Sequence, residues 1–257
     1  MTSPVLWEEE NGFVTLRLNR AARCNALTGE LLEALEEVLD RAANAPPKGV
    51  ILTGVGPHFS TGGDVAAFAA AVERGEGRAE ATRVVGALHR VIVALLQLPA
   101  PVMVELRGAT TGGSVGLVLA SDMVAMHAAA FLQPFYSVVG FAPDGGWTAL
   151  MPERIGSGPA AAALMLNRRI RADEARALGL ATELGDDPSA ITARWRATLD
   201  GHRAGAMATA KALIWDAPRL ARVRAGLDAE QAAFEARIED EETKLGMRDF
   251  LGERSSA

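Results

Sequence analysis

The chain has 257 residues, is 49% hydrophobic and carries a net charge of -6; that is enough apolar content for one large core and too acidic to offer nucleic acid a general basic face. Its single cysteine, Cys24, excludes an internal disulfide and any metal site made of several thiolates, and its four histidines, His58, His89, His127 and His202, lack ligand spacing. The most apolar region, 84–106, is broken by His89, Arg90, Gln97, Pro99, Pro101 and Glu105, which excludes a membrane span, and Met1-Thr2-Ser3-Pro4 lacks a signal-peptide pattern, so a cytoplasmic protein is expected.

Two strand-like runs, Val5 to Glu10 and Phe13 to Leu18, flank Asn11-Gly12 and predict a hairpin. An irregular loop from Asn19 to Asn25 carries Arg20 and Arg23. Thr28 is placed to cap a helix with Leu31, Leu32, Leu35, Val38 and Leu39 at helical spacing, and Pro46-Pro47 stops that segment. The apolar run Gly49 to Thr53 predicts a buried strand. It leads into Phe59-Ser60-Thr61-Gly62-Gly63-Asp64, a glycine turn followed by a helix from Val65. The polar, glycine-rich stretch between Glu73 and Glu80 reads as a mobile loop, and Ala81 to Leu98 as a long helix ending before Pro99. The arrangement then repeats. Pro101 to Leu106 is a strand, Gly108-Ala109-Thr110-Thr111-Gly112-Gly113-Ser114 a small-residue turn, and Val115 to Ser121 a helix. A short strand is expected at Met123 to Met126, and helices at Gly145 to Met151 and Gly158 to Leu166. Repeated strand, turn and helix units predict an α/β arrangement with parallel strands. From about Pro188 onward only helices are expected, over 190–199, 207–215, 220–238 and 241–252.

Glycines at a strand-to-helix turn leave backbone N–H groups uncovered beside the positive end of a helix. Two such turns, if they converge on one oxygen, would stabilise a thioester enolate or a tetrahedral oxyanion.

Taken in order, the two turns, Arg23-Cys24-Asn25-Ala26-Leu27, Gly140-Phe141-Ala142-Pro143-Asp144-Gly145-Gly146 and the stretch from Arg169 to Ala181 resemble the enoyl-CoA hydratase/isomerase family, also called the crotonase family. The resemblance runs nearly the length of the chain. It implies a crotonase-like spiral of repeated ββα turns with a C-terminal helical region: residues 1–190 as the acyl-CoA-binding and catalytic core, and 191–257 as a tail for oligomerisation and pocket closure. It also implies a homotrimer or a dimer of trimers, no permanently bound cofactor, and a coenzyme A thioester as the carrier of a small-molecule substrate. By resemblance, Gly63 and Gly113 supply the oxyanion hole. Arg23, Asn25, Ala26 and Leu27, with Gly62 and Asp64, border coenzyme A; Lys244 and Phe250 are weaker candidates for it.

The family's hydratases place two glutamates around a water. At the corresponding positions this chain has Gly116 and Tyr136. Water addition needs both a base and an acid, so the resemblance implies the fold more firmly than hydration. Asp144 stands where several isomerases of the family carry an acidic proton shuttle, and near the nucleophilic aspartate of a dehalogenase branch. A second reading makes Asp144 a helix N-cap ahead of Gly145-Gly146. Asp64 reads as a cap, Glu105 as a hydrogen-bonded structural carboxylate, His89 as a core or surface histidine that matters only to the dehalogenase reading, and Tyr136 as pocket lining or core. The preferred reading is an enoyl-CoA isomerase. The alternatives are a hydratase with a non-standard acid and base, or a non-catalytic acyl-CoA binder.

Overall fold

The computed structural model describes residues 3–254. Asn11 and Gly12 both take left-handed φ, 55° and 80°, as a tight two-residue hairpin turn requires, and they join β1 (Val5–Glu10) to β2 (Phe13–Leu18). Helix α1 (Gly29–Asn44) starts where Thr28 Oγ1 accepts the Leu31 N–H at 3.4 Å, and it buries Leu31, Leu32, Leu35 and Leu39. Next come β3 (Gly49–Gly54), α2 (Val65–Glu73), α3 (Gly77–Gln97), β4 (Val102–Leu106), β5 (Ala109–Thr111) and α4 (Val115–Leu119). They are followed by β6 (Met123–His127), β7 (Phe131–Gln133), α5 (Tyr136–Val139), α6 (Met151–Ile155), α7 (Ser157–Met165), β8 (Ile170–Arg171), α8 (Ala172–Ala177) and β9 (Glu183–Gly185). Four helices close the chain: α9 (Pro188–Asp200), α10 (Ala204–Ile214), α11 (Ala217–Arg237) and α12 (Glu241–Arg254).

The larger sheet has the order β1-β2-β3-β4-β6-β9 and is parallel except for the hairpin. Its central strands are buried on both faces, which explains their unbroken apolar sequence. A smaller sheet, β5-β7-β8, stands beside it, and single bridges between Ser60 and Thr110 and between Leu27 and Gly63 extend its ladder. Successive turns of chain thus run from the large sheet to the small one and on to a helix, the spiral that the sequence led one to expect. The bridge register aligns the two glycine turns. Ser60 pairs with Thr110, so Gly63 and Gly113, each three residues further on, occupy equivalent steps of adjacent turns.

Two segments differ from expectation. Residues 74–76 form a tight turn, not a mobile loop: the N–H groups of Arg74, Gly75 and Glu76 bond to the carbonyls of Ala71 and Val72, Gly75 takes φ 72°, and α3 begins at Gly77. Residues 145–150 are a run of turns where a helix was expected, because Gly145 and Gly146 have φ 63° and 84°, outside the helical region.

The tail is packed onto the rest of the chain. Trp195 and Leu199 of α9 cover Phe13, Ile51 and Met103 on one face of the large sheet. Leu227, Phe234 and Ile238 are buried, and Leu220 is half-buried, in the same apolar core as the strands. Helix α10 is pinned by Lys211, whose buried Nζ donates to Asp122 Oδ2 at 2.8 Å and to the Ala100 carbonyl at 3.2 Å. Burial lowers the Lys211 pKa, with Asp122 opposing the shift. Removing one partner of a buried pair leaves an uncompensated charge, so Asp122→Ala is expected to cost about 3 kcal/mol in urea unfolding. Lys211→Met should cost less, because Asp122 is partly exposed and still accepts the Val102 N–H at 2.7 Å. Equal losses for the two variants would contradict this account.

Candidate active site

Gly63 and Gly113 line one cleft, together with Asp144 and Tyr136. At the first glycine turn, Leu27 N–H bonds to the Gly62 carbonyl and Asp64 N–H to the Leu27 carbonyl. This parallel bridge leaves the Gly63 N–H outside its ladder. At the second, Gly113 lies in the first turn of a short 3-10 helix, where N–H groups have no intrahelical partner. Gly62 and Gly112 precede them with φ 77° and 55°, the left-handed bend that aims the following amide. Buried hydroxyls lock the two turns together: Ser60 Oγ donates to the Asn25 carbonyl at 2.8 Å, and Ser114 Oγ lies 3.1 Å from the Ser60 carbonyl.

The third component arrives by a close backbone crossing. A Cβ on Gly145 would lie 2.5 Å from the Gly113 carbonyl oxygen, and one on Gly116 would lie 2.2 Å from the Gly145 carbonyl oxygen. Only glycine permits this approach. It brings Asp144 so near Gly113 that a Cβ there would come within 2.8 Å of Asp144 Oδ1. Trp147 Nε1 donates to the Gly112 carbonyl at 2.9 Å and fastens the same two segments.

Asp144 is not a helix cap, because no helix starts there and its carboxylate is met by a side-chain hydroxyl. Tyr136 donates to Asp144 Oδ1 at 2.5 Å, and its hydroxyl also lies 3.0 Å from the Asp144 carbonyl. Burial pushes the Asp144 pKa up from 3.8 to about 7; the Tyr136 hydrogen bond opposes the shift and the nearby Glu230 carboxylate adds to it. Burial and the neighbouring carboxylate hold the Tyr136 hydroxyl protonated.

The apolar wall of the cleft is phenylalanine: Phe68 from α2, Phe135, Phe141, Phe234 from α11 and Phe250 from α12. Phe68, Phe141 and Phe234 pack as a triad with ring centroids 4.8–5.7 Å apart. With Val65 and Val139 they bound about 550 Å³ of empty space, part of it open to solvent. Phe135 holds φ 62°, and its N–H is taken by Asn167 Oδ1 at 2.9 Å.

The other sequence candidates separate cleanly. Asn25 is fully buried and spends its side chain inside the protein, donating to the carbonyls of Val55, His58 and Phe59 while accepting the Arg20 N–H. The carbonyls of Ala26, Leu27 and Gly62 are likewise taken, by Arg20 Nη1, Asp64 N–H and Leu27 N–H. These residues shape the loop. Arg23 alone among that set offers an exposed cation; it bonds Asp64 Oδ2 at 3.2 Å, and Asp64 also caps α2 through the Ala67 N–H. Lys244 pairs with Glu241 at 2.8 Å. Glu105 accepts the Thr192 hydroxyl at 2.6 Å, away from the cleft, which makes it structural. His89 does not line the cleft. Burial lowers its pKa to about 4, so the ring is neutral, and Nε2 accepts the Gly145 N–H at 3.4 Å. It is not placed to activate a water for a dehalogenase.

Sequence reasoning passed over Glu230. This buried carboxylate of α11 reaches the loop after Asp144 and accepts the N–H groups of Gly146 at 2.7 Å, Thr148 at 2.6 Å and Ala149 at 3.1 Å, plus the Thr148 hydroxyl at 2.7 Å. Its signal was available: Val223, Leu227, Glu230 and Phe234 share one helical stripe, and an acid in an apolar stripe needs partners.

Comparison with known proteins bears on the family and the fold. The family model for enoyl-CoA hydratase/isomerase matches residues 8–257. A protein of Rhodobacter capsulatus, described as a probable enoyl-CoA hydratase, is 30% identical over 97% of this chain and 95% of its own. Enoyl-CoA delta isomerase 2 of Rattus norvegicus is 29% identical over 74% of this chain and 48% of its own. A crystal structure of an enoyl-CoA hydratase/isomerase from Mycobacterium paratuberculosis shares the fold, with a TM-score of 0.88 at 22% identity over 97% of this chain and 99% of that one.

The backbone crossing makes a direct prediction. Gly116→Ala drives a methyl group into the Gly145 carbonyl, and overpacking of this kind typically costs about 1–3 kcal/mol. Urea unfolding should register that loss, and Gly116→Glu should destabilise further without creating crotonyl-CoA hydration. Wild-type stability for Gly116→Ala would show that the crossing is loose.

Proposed function

Because this chain belongs to the enoyl-CoA hydratase/isomerase family, we propose that it shifts a double bond in an enoyl-CoA by way of a thioester enolate. The observation that carries this reading is Asp144, the single buried carboxylate lining the cleft among the described residues, beside Gly113. The two positions where the family's hydratases carry glutamates hold Gly116, which admits no side chain, and Tyr136, which is bonded to Asp144. The thioester oxygen of a 3-enoyl-CoA accepts the N–H groups of Gly63 and Gly113. Asp144, ionised, takes a proton from the α-carbon; the electron pair delocalises as a dienolate whose oxygen the two amides stabilise. Asp144, now protonated, returns the proton at the γ-carbon, leaving a 2-enoyl-CoA and a regenerated carboxylate. One group gives back what it took, so no second acid is needed. A pKa near working pH suits a group that must act as both base and acid.

The phenylalanine wall excludes water from the enolate and takes the acyl chain. Arg23 is the expected contact for a coenzyme A phosphate. A hydratase reading is favoured by the relative described as a probable hydratase. It would require a second acid–base group, and Asp144 with Tyr136 is the pair on offer. The proposed assembly is a homotrimer or a dimer of trimers, with 1–190 as the catalytic core and 191–257 as the tail. Support for assembly comes from large apolar side chains left exposed on α7, α10 and their ends: Met165, Leu166, Leu213 and Ile214. Light scattering should therefore give a mass of three or six chains, and a stable monomer at micromolar concentration would refute the assembly.

Asp144→Asn keeps the shape and removes the proton acceptor, so isomerisation of a 3-enoyl-CoA should fall by at least about a hundredfold. Folding raises the Asp144 pKa from 3.8 to about 7, so the ionised form costs stability above the unfolded value, and increasingly so up to about pH 7. Asp144→Asn should then keep or raise the melting temperature at pH 8. In the wild type, kcat/KM should climb as pH rises through about 7. Tyr136→Phe removes a bond that favours the carboxylate and should move that limb to higher pH. Activity retained by Asp144→Asn would refute the mechanism, and rapid crotonyl-CoA hydration by the wild type would favour the hydratase reading.

A further inference from the structure

The loop that delivers Asp144 has almost no regular structure of its own. Gly145 and Gly146 are both left-handed, and the turns through Leu150 leave a run of N–H groups without helical partners. Those groups are collected from outside. His89 on α3 accepts the Gly145 N–H, and Glu230 on α11 accepts those of Gly146, Thr148 and Ala149 together with the Thr148 hydroxyl. Within the loop, the Trp147 N–H meets the Asp144 carbonyl at 3.4 Å and the Leu150 N–H meets the Gly146 carbonyl at 2.8 Å.

We propose that Glu230 is a positioning residue for the reaction: from the C-terminal helical region it clamps the backbone that follows Asp144 and thereby fixes the Asp144 carboxylate beside Gly113. The cost of the arrangement supports it. Glu230 is 3% exposed, and among the described residues no lysine or arginine pairs with it. A leucine on the same helical stripe would fill the space without desolvating a charge. A carboxylate is needed because only a single acceptor group with several lone pairs can gather four donors from one irregular turn. One helical turn further on, Phe234 reaches the cleft wall, so the same helix sets both the base and part of the acyl surface.

Glu230 also acts on Asp144 at a distance. The groups that face this pair are Tyr136 from α5, His89 from α3, whose Nε2 lies 3.7 Å from Glu230 Oε2, and the two carboxylates themselves. His89 is neutral, with its pKa lowered to about 4 by burial, so it does not offset the negative charge. Burial raises the Glu230 pKa as well, against the pull of its four donors. Ionised Glu230 disfavours a second negative charge at Asp144. Mutation separates the charge from the rest: Glu230→Gln keeps length but loses the charge and, because an amide NH2 cannot accept an N–H, part of the clamp, whereas Glu230→Asp keeps the charge and loses reach.

The proposal rests on Asp144 being the base, and the test has a readout that does not. The 13C resonance of the Asp144 carboxyl, assigned by difference from Asp144→Asn, is titrated in full-length protein beside kcat and KM for a 3-enoyl-CoA. In Glu230→Gln the Asp144 pKa should fall by about half a unit or more. The plateau kcat should drop at least about tenfold with KM changed less than about threefold, and amide exchange at Gly146 and Thr148 should accelerate. In Glu230→Asp, kcat should drop similarly while the Asp144 pKa stays nearer the wild-type value. If Glu230→Gln does not fold, Glu230→Asp and Thr148→Val carry the same comparison, with Thr148→Val giving the smaller loss of kcat. A melting temperature that falls while kcat and the Asp144 titration stay at wild-type values would make Glu230 merely structural and overturn the proposal. If Asp144→Asn retains activity, the isomerase mechanism fails by itself, and the carboxyl titration and amide exchange still decide whether Glu230 holds the loop.

Discussion

The contact on which the site depends is between two stretches of main chain. Gly113 and Gly116 lie against Gly145 so closely that a Cβ at position 116 or 145 would strike a carbonyl oxygen at 2.2 or 2.5 Å. Packing at this distance is available only to backbone against backbone. It carries two consequences at once: the carboxylate one residue before Gly145 is delivered to the second glycine turn, and the position where the family's hydratases hold their first glutamate is filled by the carbonyl of another segment.

The electrostatics follow from the same compaction. Asp144, Glu230, Tyr136 and His89 are all buried, and among the described residues neither acid meets a lysine or arginine. Ion pairing would have driven the Asp144 pKa down and made it a poor proton acceptor. Here desolvation dominates and is only partly relieved by the Tyr136 hydroxyl and the backbone N–H of Asp144 itself. Glu230 survives by a different means, with four donors from one turn. Two neighbouring acids thus have separate chemistries, one able to exchange a proton and one committed to holding backbone.

The C-terminal helices belong to this construction. Phe234 and Phe250 complete the cleft wall, Thr243 Oγ1 and Arg237 Nε hold the Gly140 carbonyl at 2.8 and 3.1 Å, and Lys211 anchors α10 under the large sheet. No helix among the described residues is long and apolar enough to cross a membrane. Val223, Leu227, Phe234, Ile238 and Met247 of the tail lie in the shared core.

Much of this was written in local sequence. The hairpin at Asn11-Gly12, the Thr28 cap, the apolar strands and the two glycine turns each rest on short-range chemistry, which a few adjacent residues decide. The departure from the hydratase pattern was legible too, since Gly116 and Tyr136 stand at fixed offsets from recognisable turns. Other features needed the fold. Asp144 read equally well as a helix cap, and the helix it would have capped does not form, because Gly145 and Gly146 take left-handed angles imposed by the crossing with Gly113. Asn25 read as part of the loop that borders coenzyme A, and its buried side chain braces the carbonyls of Val55, His58 and Phe59. Glu230, 86 positions beyond Asp144, could be noticed as an acid in an apolar stripe but not assigned a partner. Sequence determines which residues can bend, cap, bury or ionise, because those are properties of neighbouring atoms. Only the tertiary structure decides which distant backbone they meet, and hence whether a carboxylate is paired, clamped or left poised to take a proton.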